Sequence, residues 1–302
     1  MTQKTFGKRI RLFHKTPSDI VCPHFYELVW ARGCPYNCAW CYLQGTYRIQ
    51  GKQPYFYPRR EVEKSAVLFC EKMQDPQVVN TGELADSLMG EHLNPPFSEW
   101  IVKLFGRYGQ HRVLFLSKMT HIQNILHLNP FLMWIPIFSW SLNANPVACR
   151  WEHGAPSVKD RLEAAQTLDD QGYEVRIRID PMVPIKGWME HYQRLVDQIL
   201  DQLWPERITL GSLRGLQSTI NNAQDKSWVQ YLSEKSGWGL KIDFDTRALM
   251  YSTIIDYLHD EPGYDMVALC KETHGMWQSL KDLGMDPGEP PSWEGCRCNC
   301  VW

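Results

Sequence analysis

"RGCPYNCAWCYLQ", residues 32–44, sets Cys34, Cys38 and Cys41 in one short loop, separated by three residues and then by two. A structural zinc site closes with four ligands, so three thiolates are one short. They suit a 4Fe–4S cubane that leaves one iron open, since such clusters are held by cysteine thiolates. A zinc site with a distant fourth ligand, or a redox sensor, are the alternatives. Just upstream, "FYELVWA" (25–31) reads as a β-strand that delivers the chain into the loop.

Downstream, strand and helix patterns alternate. Strands are expected at 77–83, 112–118, 134–143, 173–180 and 207–213. Helices are expected at 60–73, 97–108 and 188–200, with a short one at 120–128. The clearest helix starts after Ser157, a plausible N-cap with Asp160 three residues on. Val158, Leu162, Ala165 and Leu168 follow at helical spacing, and Gly172 stands at the C-terminal cap. Strands linked by crossover helices build a parallel sheet. Six such units predict an α/β fold, a partial (β/α)6 TIM-type barrel over 25–213. Residues 1–24 form an N-terminal arm, and 214–302 a C-terminal extension with a cysteine-rich tail. The extension is expected to hold helices at 246–258 and 272–283 and a strand at 265–270. In such barrels the chemistry sits at the C-terminal strand ends, where the cysteine loop would lie.

Composition narrows the class. The chain has 302 residues, 44% of them hydrophobic and 22% charged, enough to bury a core and too apolar for disorder. A net charge of −2 gives no global field for nucleic acid. The N-terminus lacks a signal-type apolar run, and "FLMWIPIFSWSL" (131–142) is short for a membrane span and contains Pro136. The expectation is a soluble, cytoplasmic protein without a membrane partner. There, ten cysteines favour metal binding or catalysis over disulfides.

C-x3-C-x2-C with Trp40 before the last cysteine resembles the signature of radical S-adenosylmethionine (SAM) enzymes. "CAWCYLQ", "GELADSLMGEH" (82–92), "LFLSKM" (114–119), "FSWSLNAN" (138–145), "EHGAPSVKDRLEAAQTLDDQGYEVRIRIDPMVP" (152–184) and "GSLR" (211–214) follow in order. Together they resemble the spore photoproduct lyase family, which splits a thymine dimer in DNA. The resemblance implies a radical SAM barrel in which Cys34, Cys38 and Cys41 ligate a 4Fe–4S cluster. SAM, chelated to the open iron, is cleaved reductively to a 5′-deoxyadenosyl radical. It implies that Tyr42 lies near SAM and that Ala85 and Asp86 form a SAM-contacting turn. Lys118 would reach the SAM carboxylate, and Ser141 and Asn143 the ribose or methionine end. A flavodoxin- or ferredoxin-like electron donor is implied too.

Two positions depart from that family. Glu83 stands where the lyases place a hydrogen-donating cysteine, and Trp40 where they place a radical-relaying tyrosine. A carboxylate O–H is too strong a bond to serve as that donor. Glu83 is instead expected to hold the SAM ammonium. The favoured substrate is nucleic acid, as a DNA lesion or modified base. The alternatives are a peptide or small metabolite, and, in another class, a non-catalytic iron–sulfur or zinc protein.

At the other end, "GCRCNCVW" carries Cys296, Cys298 and Cys300. In an extended segment the three thiols share one side. They would bind a second iron–sulfur cluster or zinc with Cys270, or act as hydrogen donors, or belong to a loose tail. The stretch 42–60 carries Arg48, Lys52, Arg59 and Arg60 among tyrosines and no acid, and 7–15 is a second basic run. Both suit phosphate contact and base stacking, or else are solvated loops. Arg176 and Arg178, two apart on one strand, would share a face, and if it points inward they would meet an anionic substrate.

Overall fold

The computed structural model describes residues 4–302 except 48–53, 261–262, 291–292 and 294. Among the described residues the main sheet has nine strands, and their spatial order follows the chain. They are β1 (Thr5–Phe6), β2 (Ile10–Phe13), β3 (Phe25–Leu28), β4 (Val78–Asn80), β5 (Arg112–Ser117), β6 (Pro136–Leu142), β7 (Glu174–Met182), β8 (Ile208–Ser212) and β9 (Val267–Leu269). The first three pair antiparallel. From β3 to β9 every pairing is parallel, as helical crossovers require. The fold is mixed α/β around a largely parallel sheet.

Four helices fill crossovers: α1 (Arg59–Lys72), α2 (Phe97–Gly106), α3 (Val158–Asp170) and α4 (Trp188–Leu200). A fifth, α5 (Phe244–Asp260), precedes β9. The α3 boundaries fall where the sequence puts them. Ser157 Oγ accepts from Asp160 N at 3.1 Å, the Asp160 carboxylate accepts from Ser157 N at 3.2 Å, and Gly172 takes φ +87°. Leu162, Ala165 and Leu168 are buried from α3, and burying each leucine contributes about 1.5–3 kcal/mol. Phe115 of β5 stacks on Phe138 of β6, ring centroids 5.2 Å apart. Among the described residues, no helix is long and apolar enough to cross a membrane.

The structure differs from the sequence pattern at several places. Residues 4–24 supply β1, β2 and a further strand, Ile20–Val21, and β9 comes from the stretch expected as an extension. The sheet thus draws on all three sequence stretches. The expected helix at 120–128 shrinks to one 3-10 turn, Ile125–His127, while the Asn124 side chain before it donates to Glu91 O and Oε2. The strand at 77–83 stops at Asn80, whose Oδ1 accepts from Gly82 N at 2.7 Å and turns the chain. Glu272–Thr273 is a strand against Ile20–Val21 rather than the start of a helix. Only His274–Ser279 is α-helical there, capped by the Thr273 hydroxyl.

Candidate active site

A cavity of about 360 Å³ opens at the C-terminal ends of the parallel strands. Cys34, Cys38 and Cys41 line it, together with Trp40 and Tyr42. The loop is pinned from several sides. Asn37–Cys38 pairs with Glu152–His153, Gly33 N donates to Leu84 O at 2.9 Å, and Gln44 Nε2 donates to Cys38 O at 2.5 Å. The Trp40 ring lies 5.6 Å from that of Trp151. Gly33 takes φ +89°, a left-handed conformation that Cβ-bearing residues rarely adopt.

Burial pushes all three loop thiols above the ordinary cysteine pKa. A metal must therefore displace their protons on binding. Among the described residues no three His, Cys, Asp or Glu side chains gather closely enough to hold a single ion. A lone zinc would need its sulfurs about 2.3 Å from one centre. A cubane spreads its thiolates over separate irons. Three separated cysteines lining an open cavity fit the cluster better than the ion.

The turn after β4 carries Glu83, Ala85 and Asp86 into the cavity wall. Gly82 is required there, because a Cβ would sit 2.6 Å from Leu116 Cβ. Asp86 accepts from Ser117 Oγ at 2.6 Å, Lys118 N at 2.9 Å and Leu88 N at 3.0 Å. Burial raises its pKa and these donors oppose the rise. Its two oxygens staple the turn to the end of β5.

Lys118 and Ser141 also line the cavity. Lys118 Nζ lies 3.6 Å from Glu152 Oε1, and Arg161 Nη1 lies 2.6 Å from Glu152 Oε2. Burial would lower the Lys118 pKa, but Glu152 and then Cys38 outweigh it and raise it. Asn143 is not brought to the cavity. Its Nδ2 donates to Pro181 O at 2.8 Å, and its Oδ1 accepts from Ala144 N and the Tyr192 hydroxyl. It joins strand ends instead, with no polar atom left for a ligand to compete for cheaply.

Opposite the cysteine loop lie residues that spacing did not reveal. Lys271 sits just past β9 with φ +51°, an uncommon conformation for lysine. Its Nζ is 3.8 Å from Glu83 Oε2 and 5.0 and 5.4 Å from the ring centroids of Trp238 and Phe13. Trp238 is at the tip of a hairpin, Glu234–Ser236 with Gly239–Lys241. Arg214 grips Asp180 through both terminal nitrogens at 2.9 Å. Burial would raise the Asp180 pKa, but Arg214 reverses this and holds it at about 2. Gly211 makes room, since a Cβ there would lie 2.4 Å from Asp180 Oδ1. The Gly of "GSLR" is a signal the sequence carried; the left-handed lysine left none.

The cysteine tail is neither extended nor loose. Cys298, Asn299 and Cys300 are buried in succession and turn beneath the sheet's inner face. Asn299 Nδ2 donates to Ser139 Oγ at 2.7 Å and Ile177 O at 3.0 Å, and its Oδ1 accepts from Thr209 Oγ1 at 2.7 Å. Arg176 Nη1 donates to the carbonyls of Asn299 and Val301, so it anchors the tail rather than a substrate. The Cys298 thiol hydrogen-bonds with those of Cys296 and Cys300. Cys270 contacts Arg214 Nη2 at 3.7 Å. Among the described residues these four cysteines form no metal-binding group, and none lines the cavity.

Of the basic segments, Arg48 and Lys52 lie outside the described residues. Arg9 pairs with Glu61 and Arg11 with Glu27, while Arg59 donates to Pro95 O. The charges of Arg9 and Arg11 are thus paired within the protein, while Arg59 bonds a neutral carbonyl and keeps its charge.

A solved spore photoproduct lyase mutant with bound AdoMet and dinucleoside spore photoproduct matches with a TM-score of 0.67 and 19% identity, over 86% of this chain and 80% of that one. Streptococcus suis SuiB bound to precursor peptide SuiA matches at 0.55 and 13%, over 83% and 49%. The spore photoproduct lyase of Bacillus subtilis is 26% identical over 187 residues, and that of Clostridium acetobutylicum 24% over 185. These alignments take in 61% and 59% of this chain and 53% and 52% of the relatives, so the chain spans about half the length of the curated relatives it matches. The family model for spore photoproduct lyase matches residues 17–212. Nearly two thirds of the sequence, including the cysteine loop and every crossover from β3 to β8, therefore places this chain in the spore photoproduct lyase family.

Proposed function

We propose that this chain is a radical SAM enzyme that acts on nucleic acid, at a lesion or modified base. The observation that carries the reading is the trio Cys34, Cys38 and Cys41 on the wall of a cavity at the C-terminal strand ends. Its frame is a partial β/α barrel. Nine strands at about 4.8 Å spacing would span roughly 38 Å if flat, yet Lys271, past β9, lies 5.4 Å from the Phe13 ring on β2. The unit at 25–213 would carry the chemistry, and the flanking stretches would close the curl.

Cys34, Cys38 and Cys41 would hold a 4Fe–4S cluster, which would supply the electron for reductive cleavage of SAM. Lys118, kept protonated by Glu152, offers an ammonium to the SAM carboxylate. Glu83 and Ser141 offer a carboxylate and a hydroxyl to its ammonium and ribose, and Tyr42 flanks it. Asp86 and Ala85 hold the turn that shapes this wall. Trp40 and Tyr36 limit water access. A flavodoxin- or ferredoxin-like protein would deliver the electron.

The substrate class rests on family membership and on the dinucleoside lesion named for a solved relative. Glu83, which cannot return hydrogen as a thiol does, and the internally paired Arg9 and Arg11 favour a second reading, a peptide or small-molecule substrate. Anaerobically reconstituted protein with SAM and dithionite should form 5′-deoxyadenosine, and Cys38→Ala should not. A loaded cluster that yields none would leave a non-catalytic iron–sulfur protein. Binding to DNA that weakens steeply as salt rises supports the nucleic-acid reading; no binding at low salt favours the second.

A further inference from the structure

Among the described residues five cationic side chains line the cavity: Arg11, Lys118, Arg178, Arg214 and Lys271. Four have a carboxylate partner, respectively Glu27, Glu152, Asp180 and Glu83. Arg178 has none among the described residues. It is 7% exposed, and its Nε is buried without a hydrogen-bond partner. Its Nη2 donates only to the sulfur of Cys300, at 3.1 Å. A thiol is a weak, neutral acceptor. Asp180, two residues further along β7, attracts Arg178 only from beyond ion-pair distance, because its carboxylate is gripped by Arg214.

A guanidinium stays charged at any physiological pH, and burying one without a counter-charge costs several kcal/mol. Proteins accept that cost where a ligand supplies the missing charge. Arg178 pairs in register with Ser141 across β6 and β7, one layer deeper than Asp180. It therefore faces the cavity from the floor, beneath the strand ends that hold the cysteine loop.

We propose that Arg178 is the anion anchor of a substrate subsite on the cavity floor, taking a phosphate or carboxylate on the buried end of the substrate. The guanidinium provides the donors. Lys271 and Arg214 add positive potential, and the Phe13 and Trp238 rings offer an apolar wall for the group that carries the anion. The floor subsite extends the reading above by naming what the deep end of the substrate must bear. It does not depend on SAM cleavage.

Cluster-loaded protein with SAM bound is titrated with two ligand pairs, read by calorimetry. Thymidine against thymidine 5′-monophosphate reports a phosphate; uracil against orotate reports a carboxylate. In at least one pair the anion should bind about tenfold or more tighter, as a charge-assisted bond allows. Arg178→Gln should erase that preference and Arg178→Lys retain part of it, with both variants' folding checked by circular dichroism. No binding, no preference in either pair, or a preference unchanged in Arg178→Gln would overturn the subsite. So would an equal loss of SAM binding in Arg178→Gln, which would give the guanidinium to SAM. A neutral-pH thiolate absorbance that vanishes in Cys300→Ser would also overturn it, because the sulfur would then be the counter-ion. Deoxyadenosine formation, measured separately, reports on the radical chemistry alone.

Discussion

Lys118 and Arg161 share one carboxylate, Glu152, whose side chain is fully buried between them at 3.6 and 2.6 Å. Glu152 also pairs in register with Cys38, so one residue couples the loop to the ammonium proposed for SAM. Removing its charge strands two buried cations. Glu152→Gln should cost about 3–5 kcal/mol of stability, measured by urea unfolding, and should loosen the loop enough to lower iron retention.

Lys118→Ala tests the same wall from the other side. Losing a charge-assisted bond should weaken SAM binding about ten- to hundredfold, by calorimetry on cluster-loaded protein. Unchanged affinity would move the SAM carboxylate elsewhere.

The Asp180–Arg214 pair sets a pH dependence. The folded Asp180 pKa of about 2 lies below the ordinary aspartate value of 3.8. Its stabilisation is full above the unfolded value and is lost as pH falls from about 4 towards 2. Glu272, whose pKa is lowered mainly by Lys241 and Arg247 against its burial, acts in the same direction. Denaturation midpoints between pH 6 and 3 should fall with acid, and Asp180→Asn should be less stable at neutral pH with a shallower acid slope.

Asn299→Ala should leave Ser139, Thr209 and the Ile177 carbonyl without partners. At about 1–3 kcal/mol for a buried polar group left unpaired, the melting temperature should drop by several degrees. An unchanged value would mean that the tail is an ornament on the sheet.

Gly82→Ala should cost about 1–3 kcal/mol through overpacking against Leu116. The damage should spread to the Asp86 turn, seen as weaker SAM binding than in Gly275→Ala, where a Cβ meets nothing.

The parallel sheet and the loop were legible because both are local. Hydrophobic runs and the Ser157–Asp160 cap mark elements within a few residues, and three cysteines in one loop need no partner from elsewhere. What escaped was assembled across the chain. Lys271 meets Glu83 from 188 positions away, and nothing in either neighbourhood announces the other. The family resemblance offered Asn143 as a ligand residue; Tyr192, on a later helix, claims its oxygen. The tail's alternation does bring its three thiols together, but nothing in it announced that Asn299 between them would bind Ser139, Ile177 and Thr209.

Asn299 reaches strands laid down 90 to 160 positions earlier. On a ribosome, β6, β7 and β8 emerge with their inward hydroxyls and guanidinium groups still wet, and the segment that relieves them arrives long afterwards. Such distant closure is slow. Nascent chains stalled before residue 299 should accordingly stay protease-sensitive at β6 to β8, and harden only once the final turn slots home.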